Sequence, residues 1–208
     1  MFSMKWSLFV FFAGTLAAAG GPRVIYSKSF PGSFPAYTQI TLDQEGNAEY
    51  REAPNDDQPL TFKLQPADVH EVFALVAKLD YFQRPLESPA KVAFMGTKTF
   101  RYEGGGHTSE VKFNFSEDPD ARALADWFDR MVESALRRID LERAAKYDHL
   151  GVVKALVELQ IDMDGKRVVA LDQFLPILDR IAKNEMYMHT ARERAADIAD
   201  SIRNPKQP

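Results

Sequence analysis

The sequence predicts an α+β fold: an antiparallel sheet with a packed helix, followed by a C-terminal bundle of about four helices. Three observations carry this. Strand-like and helix-like segments are segregated along the chain, in the order strands, helix, strands, helices. Val111, Phe113 and Phe115 alternate with polar residues, which buries one face of a strand and solvates the other, as antiparallel sheets allow. After Asp118-Pro119 the apolar spacing changes from two to three and four, and stays there almost to the end.

Each element follows from its local chemistry. Val24 to Ser27 reads as a short strand, and Ser29 to Pro35 as a turn-rich segment with two prolines. Tyr37 to Leu42 alternates, with Ile40 and Leu42 on one face and Tyr37, Gln39 and Thr41 on the other. Asp43-Gln44-Glu45-Gly46 supplies turn chemistry, and Ala48 to Arg51 returns as a strand. Leu60 to Leu64 is the third strand of this run. Pro66 suits the first turn of a helix, where its missing N–H costs nothing, and Val69, Val72, Phe73, Val76 and Leu79 follow at helical spacing.

A second β region is expected from Val92 and Phe94 through Phe100 and Tyr102, broken at Met95-Gly96. Gly104-Gly105-Gly106 marks a hairpin before the return strand. Asp118 is an N-cap acid followed by proline, opening a helix that should run to about Tyr147. Leu150 to about Asp162 predicts another helix. Leu171 to Ile181 predicts a third, with Asp172 as N-cap and Pro176 in its first turn. Tyr187 to Ile202 makes a fourth, with an alanine-rich stripe expected to be exposed for contact.

The first 19 residues read as an address. Lys5 gives a positive n-region, Trp6 to Leu16 a short apolar run, and Ala17-Ala18-Ala19 the small residues of a cleavage site before Gly20. The alternative is an uncleaved N-terminal anchor. The domain reading is a signal peptide over 1–19, a sheet domain over 20–118, a helical region over 119–204 and a tail over 205–208. A periplasmic or secreted location follows from the export signal.

The chain has 208 residues and 45% apolar content, enough to bury a core. With no cysteine, that core must hold by packing, and thiol catalysis and cysteine-based zinc sites are excluded. A net charge of −4 gives no basic field for nucleic acid.

The run Ser29-Phe30-Pro31-Gly32-Ser33-Phe34-Pro35-Ala36-Tyr37, followed by Ile40, Gly46 and Tyr50, resembles the opening of an uncharacterised bacterial exported family. That family has a Cys-Phe-Gly-x-Cys-Pro-x-Tyr pattern. Gly32, Pro35 and Tyr37 match it, and both cysteines are absent here. The resemblance covers about residues 24–135 and implies an exported α+β domain with no known activity.

Catalytic and metal motifs fail on their spacing. His70-Glu71 opens like a His-Glu-x-x-His helix, but Ala74 stands where the second histidine must be. Asp162-Met163-Asp164-Gly165 hints at a calcium loop, but Arg167 and Leu171 occupy ligand-region positions and the final Glu is missing. Gly104-Gly105-Gly106-His107 leads into a strand, not the helix that a phosphate-binding loop requires. Gly32-Ser33 lies in no nucleophile elbow. Asp56-Asp57 reads as a solvated loop, and Glu117-Asp118 as a helix N-terminus favouring negative charge. No catalytic residue, metal ligand or cofactor is therefore assigned.

The binding candidates are Phe30, Phe34 and Tyr37, which form a ligand platform, a protein contact or a plug for the open end of the sheet, and His107 at the hairpin tip, placed for a partner contact. The leading expectation is a non-enzymatic exported module that binds a partner protein or envelope component. It has no nucleic-acid role and no membrane span after signal cleavage. The alternatives are a periplasmic hydrolase with a scattered site near His107 or His149, and a carrier holding a small apolar ligand between sheet and helices.

Overall fold

The computed structural model describes residues 21–205. The expected signal segment and the end of the tail lie outside them. The described residues form an α+β fold built on one six-stranded antiparallel sheet. Its strands are β1 (Arg23–Ser29), β2 (Tyr37–Asp43), β3 (Asn47–Arg51), β4 (Leu60–Lys63), β5 (Thr97–Gly104) and β6 (His107–Phe113), in the spatial order β4-β3-β2-β1-β5-β6. The helices are α1 (Pro66–Lys78), α2 (Pro119–Tyr147), α3 (Val152–Asp164), α4 (Leu175–Lys183) and α5 (His189–Arg203).

The period-two pattern sorts the sheet into two faces. Val24, Tyr26, Ile40, Leu42, Ala48, Tyr50, Phe62, Phe100 and Phe113 are buried beneath α1 and the first half of α2. Their strand neighbours, among them Ser27, Gln39, Thr99 and Arg101, line the opposite face, which stays open. Between sheet and helix the aromatic rings interlock. Phe100 packs against Tyr26, Phe82, Phe113 and Phe128 with centroids 5.1–6.1 Å apart. These rings fill the space between sheet and helix around Phe100.

Asp118 caps α2 as expected, accepting from the N–H groups of Asp120 (2.9 Å) and Ala121 (3.2 Å). With 29 residues, α2 is about 44 Å long. It outruns the sheet. Ala121 to Ala135 belong to the sheet core, whereas Leu141 and Ala145 belong to a second core shared with α3, α4 and α5. One helix thus anchors both layers. Arg137 and Arg167 clasp the buried Asp162 between them, tying α2 to the end of α3.

Three local expectations are corrected. Val92 and Phe94 form no strand. They lie exposed in an irregular segment whose backbone is served by the Asn114 side chain, which accepts from the Met95 N–H (2.7 Å) and donates to the Ala93 carbonyl (3.1 Å). Asp172 does not cap a helix. A one-turn 3₁₀ segment, Leu171–Phe174, precedes α4, and the Asp172 carboxylate instead accepts from Gln65 Nε2 at 2.7 Å. The alanine stripe of α5 is not exposed. Ala191, Ala195 and Ala199 are buried in the second core, where their small side chains let α5 approach its neighbours.

Candidate functional site

At the end of α1 the chain must bury both Leu79 and Phe82, three residues apart, while reversing direction. It does so through a single left-handed turn. Asp80, Tyr81 and Phe82 have φ of 51°, 49° and 66°. Left-handed backbone costs an L-residue roughly 1–2 kcal/mol, and three in succession without glycine are a concentrated strain. The turn is over-determined by what surrounds it. Phe82 stacks on Phe100 (5.1 Å), its N–H donates to the Leu79 carbonyl (3.0 Å), and the Ser109 hydroxyl donates to the Tyr81 carbonyl.

The result is a half-exposed Tyr81 ring held against Tyr102, with centroids 4.9 Å apart. The β5–β6 hairpin brings up the other wall. Gly105 and Gly106, both at positive φ, make the two-residue turn that starts β6 at His107. Gly104 is needed for a different reason: a Cβ there would lie 2.5 Å from the Tyr102 hydroxyl and 2.9 Å from Pro22. The Tyr102 ring therefore lies across bare backbone.

Between turn and hairpin runs an open groove of about 530 Å³. It is lined by Tyr81, Gln83, Tyr102, Gly104, Gly105, His107, Thr108 and Ser109. No lining residue is a carboxylate, lysine or arginine. Two phenol rings supply flat apolar area, and hydroxyl, amide and imidazole groups supply hydrogen bonding. Pockets that combine aromatic area with a few placed polar groups are ligand sites in form.

The sequence-predicted binding residues do not converge. His107 lies in this groove. Phe30 and Phe34 lie at the other end of β1, about 20 Å away along the strand. There Phe30 packs edge-on against Phe94 (6.1 Å), and Phe34 is 94% exposed. Tyr37 belongs to the open face of the sheet, where its hydroxyl donates to Gln39 (2.7 Å). Tyr81, Tyr102 and Gln83 escaped sequence reasoning. Tyr102 reads there as an ordinary strand aromatic, and no glycine announces a left-handed turn at Tyr81.

His149 lies apart from His107, its ring tilted against Tyr187 (5.0 Å between centroids) at the end of the helical layer. The neighbouring Tyr147, Leu150 and Met186 are largely exposed there. Among the described residues, no three His, Asp or Glu side chains gather closely enough to hold a metal ion. No helix among them is long and apolar enough to cross a membrane. No protein-family model matches the chain, and neither does any curated protein.

Proposed function

We propose that this is an exported, non-enzymatic binding module of the periplasm or cell envelope, and that the tyrosine groove at the β5–β6 hairpin is its binding site. The ligand class that suits the groove is an uncharged, ring-bearing envelope component, namely a saccharide chain. One observation carries the reading: the left-handed turn Asp80–Phe82 spends backbone strain to hold Tyr81 against Tyr102. Strain of this kind collects where a side chain must be presented to a ligand.

The lining supports the ligand class. Tyrosine faces pack on the C–H faces of sugar rings, while Gln83, His107, Thr108 and Ser109 can exchange hydrogen bonds with hydroxyl or acetamido groups. The lining offers no carboxylate, lysine or arginine to pair with a charged ligand. A single imidazole with no carboxylate beside it in the lining favours binding over hydrolysis. The N-terminal segment and the resemblance of the Ser29–Tyr37 opening support export.

Calorimetric titration with neutral oligosaccharides of N-acetylglucosamine tests this. The wild-type protein should bind, and Tyr81→Ala should weaken binding about tenfold, the equivalent of about 1.4 kcal/mol. Tyr37→Ala, on the open face of the sheet, should change nothing. Equal affinity in wild type and Tyr81→Ala would remove the groove from the account.

A further inference from the structure

A second, smaller pocket lies at the opposite end of β1, and its charges are arranged unlike those of the groove. The register sets Lys28 directly across from Thr38 on one side and Lys98 on the other. All three are on the helix-covered face, in step with Tyr26 and Phe100. Like charges directly opposite one another destabilise a sheet unless each finds a partner. Lys98 has one: its ammonium donates to the Asn114 carbonyl (2.9 Å) and lies 5.9 Å from the Phe113 ring centroid. Burial, and then the charge of Lys28, lower the Lys98 pKa, so the two ammonium groups do feel each other.

Lys28 has no such outlet. Among the described residues, no carboxylate lies within 4.0 Å of it, and its ammonium makes no hydrogen bond. Yet an acid shares its pocket. Asp129 of α2 lines the same cavity and uses one oxygen to accept from the buried Tyr26 phenol at 3.0 Å. Burial, and then the Asp129 charge, hold that phenol well above its ordinary pKa, so it stays a donor. Asp129 is itself exposed, its other oxygen makes no hydrogen bond within the protein, and its charge also acts on Lys98. A lysine and an aspartate thus face one cavity of about 180 Å³ without pairing.

The remaining walls are Phe30, Phe34, Pro35 and Val132, with the hydroxyls of Ser33 and Thr38 between them. Ser33 is fixed by its hydroxyl, which lies 2.8 Å from the carbonyls of both Phe30 and Pro35. Phe34 lines the pocket while remaining almost fully exposed. The cavity is below the size of ordinary ligand pockets, so its occupant is small.

We infer that this pocket binds a free α-amino acid with an apolar side chain, its carboxylate on Lys28, its ammonium on Asp129 and its side chain against Phe30, Phe34 and Val132. A zwitterion is the one small-ligand class that satisfies both unpaired charges at once. A simple anion would meet Asp129, and a simple cation would meet Lys28.

The test is a chemical-shift titration of the wild-type protein with L-leucine, N-acetyl-L-leucine and L-leucinamide. L-leucine should give saturable shifts confined to residues 28–38 and 129–132. The acetylated compound lacks the ammonium and leucinamide lacks the carboxylate, so each should bind at least tenfold more weakly. Lys28→Met keeps the aliphatic stem and removes the charge. It should bind L-leucine no better than leucinamide, and Tyr81→Ala at the far groove should leave leucine binding intact. Absence of saturable shifts with L-leucine would overturn the inference, as would equal binding of all three compounds or a Lys28→Met protein of unchanged affinity.

Discussion

The hydroxyl of Ser109 donates to the carbonyl of Tyr81, so the edge strand β6 holds the strained turn that follows α1. Ser109 is also the cross-strand neighbour of Tyr102, the ring against which Tyr81 packs. One serine therefore joins the two pieces of backbone that present the tyrosine pair. The strain at Asp80–Phe82 is borne by the fold and expressed at the groove.

That division predicts a gain of stability on removing strain. Asp80 is exposed and its side chain is not part of the groove lining, so Asp80→Gly changes mainly the backbone cost. Glycine adopts positive φ freely, and part of the gain is returned as unfolded-chain entropy. The variant should be more stable by about 0.5–1 kcal/mol, a rise in Tm of roughly 1–4 °C. Differential scanning calorimetry measures it. A fall in Tm would mean that the turn is not strained.

Gly104→Ala should act on the groove more than on the fold. The new Cβ collides with the mobile end of Tyr102 and with Pro22. Tyr102 must swing aside, which separates it from Tyr81. Circular dichroism should show a native fold, with Tm lowered by only a few degrees, while saccharide affinity falls at least tenfold. Retained affinity would mean that the placement of Tyr102 is immaterial.

Asp162 predicts the acid limb of stability. Burial alone would raise its pKa, but the hydrogen bonds and charges of Arg137 and then Arg167 outweigh this and hold the carboxyl below its ordinary value. A depressed folded-state pKa contributes stability above the unfolded value of about 3.9 and loses it as pH falls through the folded value. Denaturant unfolding should therefore show stability dropping below about pH 4. Asp162→Asn should cost about 1–2 kcal/mol at neutral pH, because the charge-assisted hydrogen bonds of two guanidinium groups are weakened while Arg137 keeps Glu133 and Glu158, and should flatten the acid limb. An unchanged pH profile would contradict this.

The alanine stripe of α5 makes a packing prediction. Ala195 is fully buried, so Ala195→Leu forces three extra carbons into a filled contact. Overpacking should destabilise by about 1–3 kcal/mol in urea unfolding. A neutral substitution would place the stripe at the surface.

The sequence carried the architecture wherever periodicity and punctuation agreed. The β2 alternation of Ile40 and Leu42 against Tyr37 and Gln39, the Asp118 cap and the full reach of α2 to Tyr147 were legible because each is a local rule. Asp172 misled because a good capping residue was recruited by Gln65, 107 positions away in the chain. The Ala191–Ala199 stripe was visible as a stripe, but its burial depends on the helices packed against it. Among the groove residues, the position of His107 at the end of a glycine hairpin was legible. Tyr81 was not, because a left-handed turn without glycine is imposed by tertiary contacts, and sequence pattern reports only what a residue prefers.

The central claim is that Tyr81 and Tyr102 together contact ligand. The most direct measurement is an NMR titration of protein carrying ¹³C-labelled tyrosine rings with N-acetylglucosamine oligosaccharides. The chain has seven tyrosines, of which Tyr26, Tyr50 and Tyr187 are buried and serve as internal controls. Tyr81 and Tyr102 should show saturable shifts with one common dissociation constant, while the buried rings stay still. Saturable shifts at Tyr37 or Tyr147 with Tyr81 and Tyr102 unmoved, or no saturable shift at any ring, would contradict it.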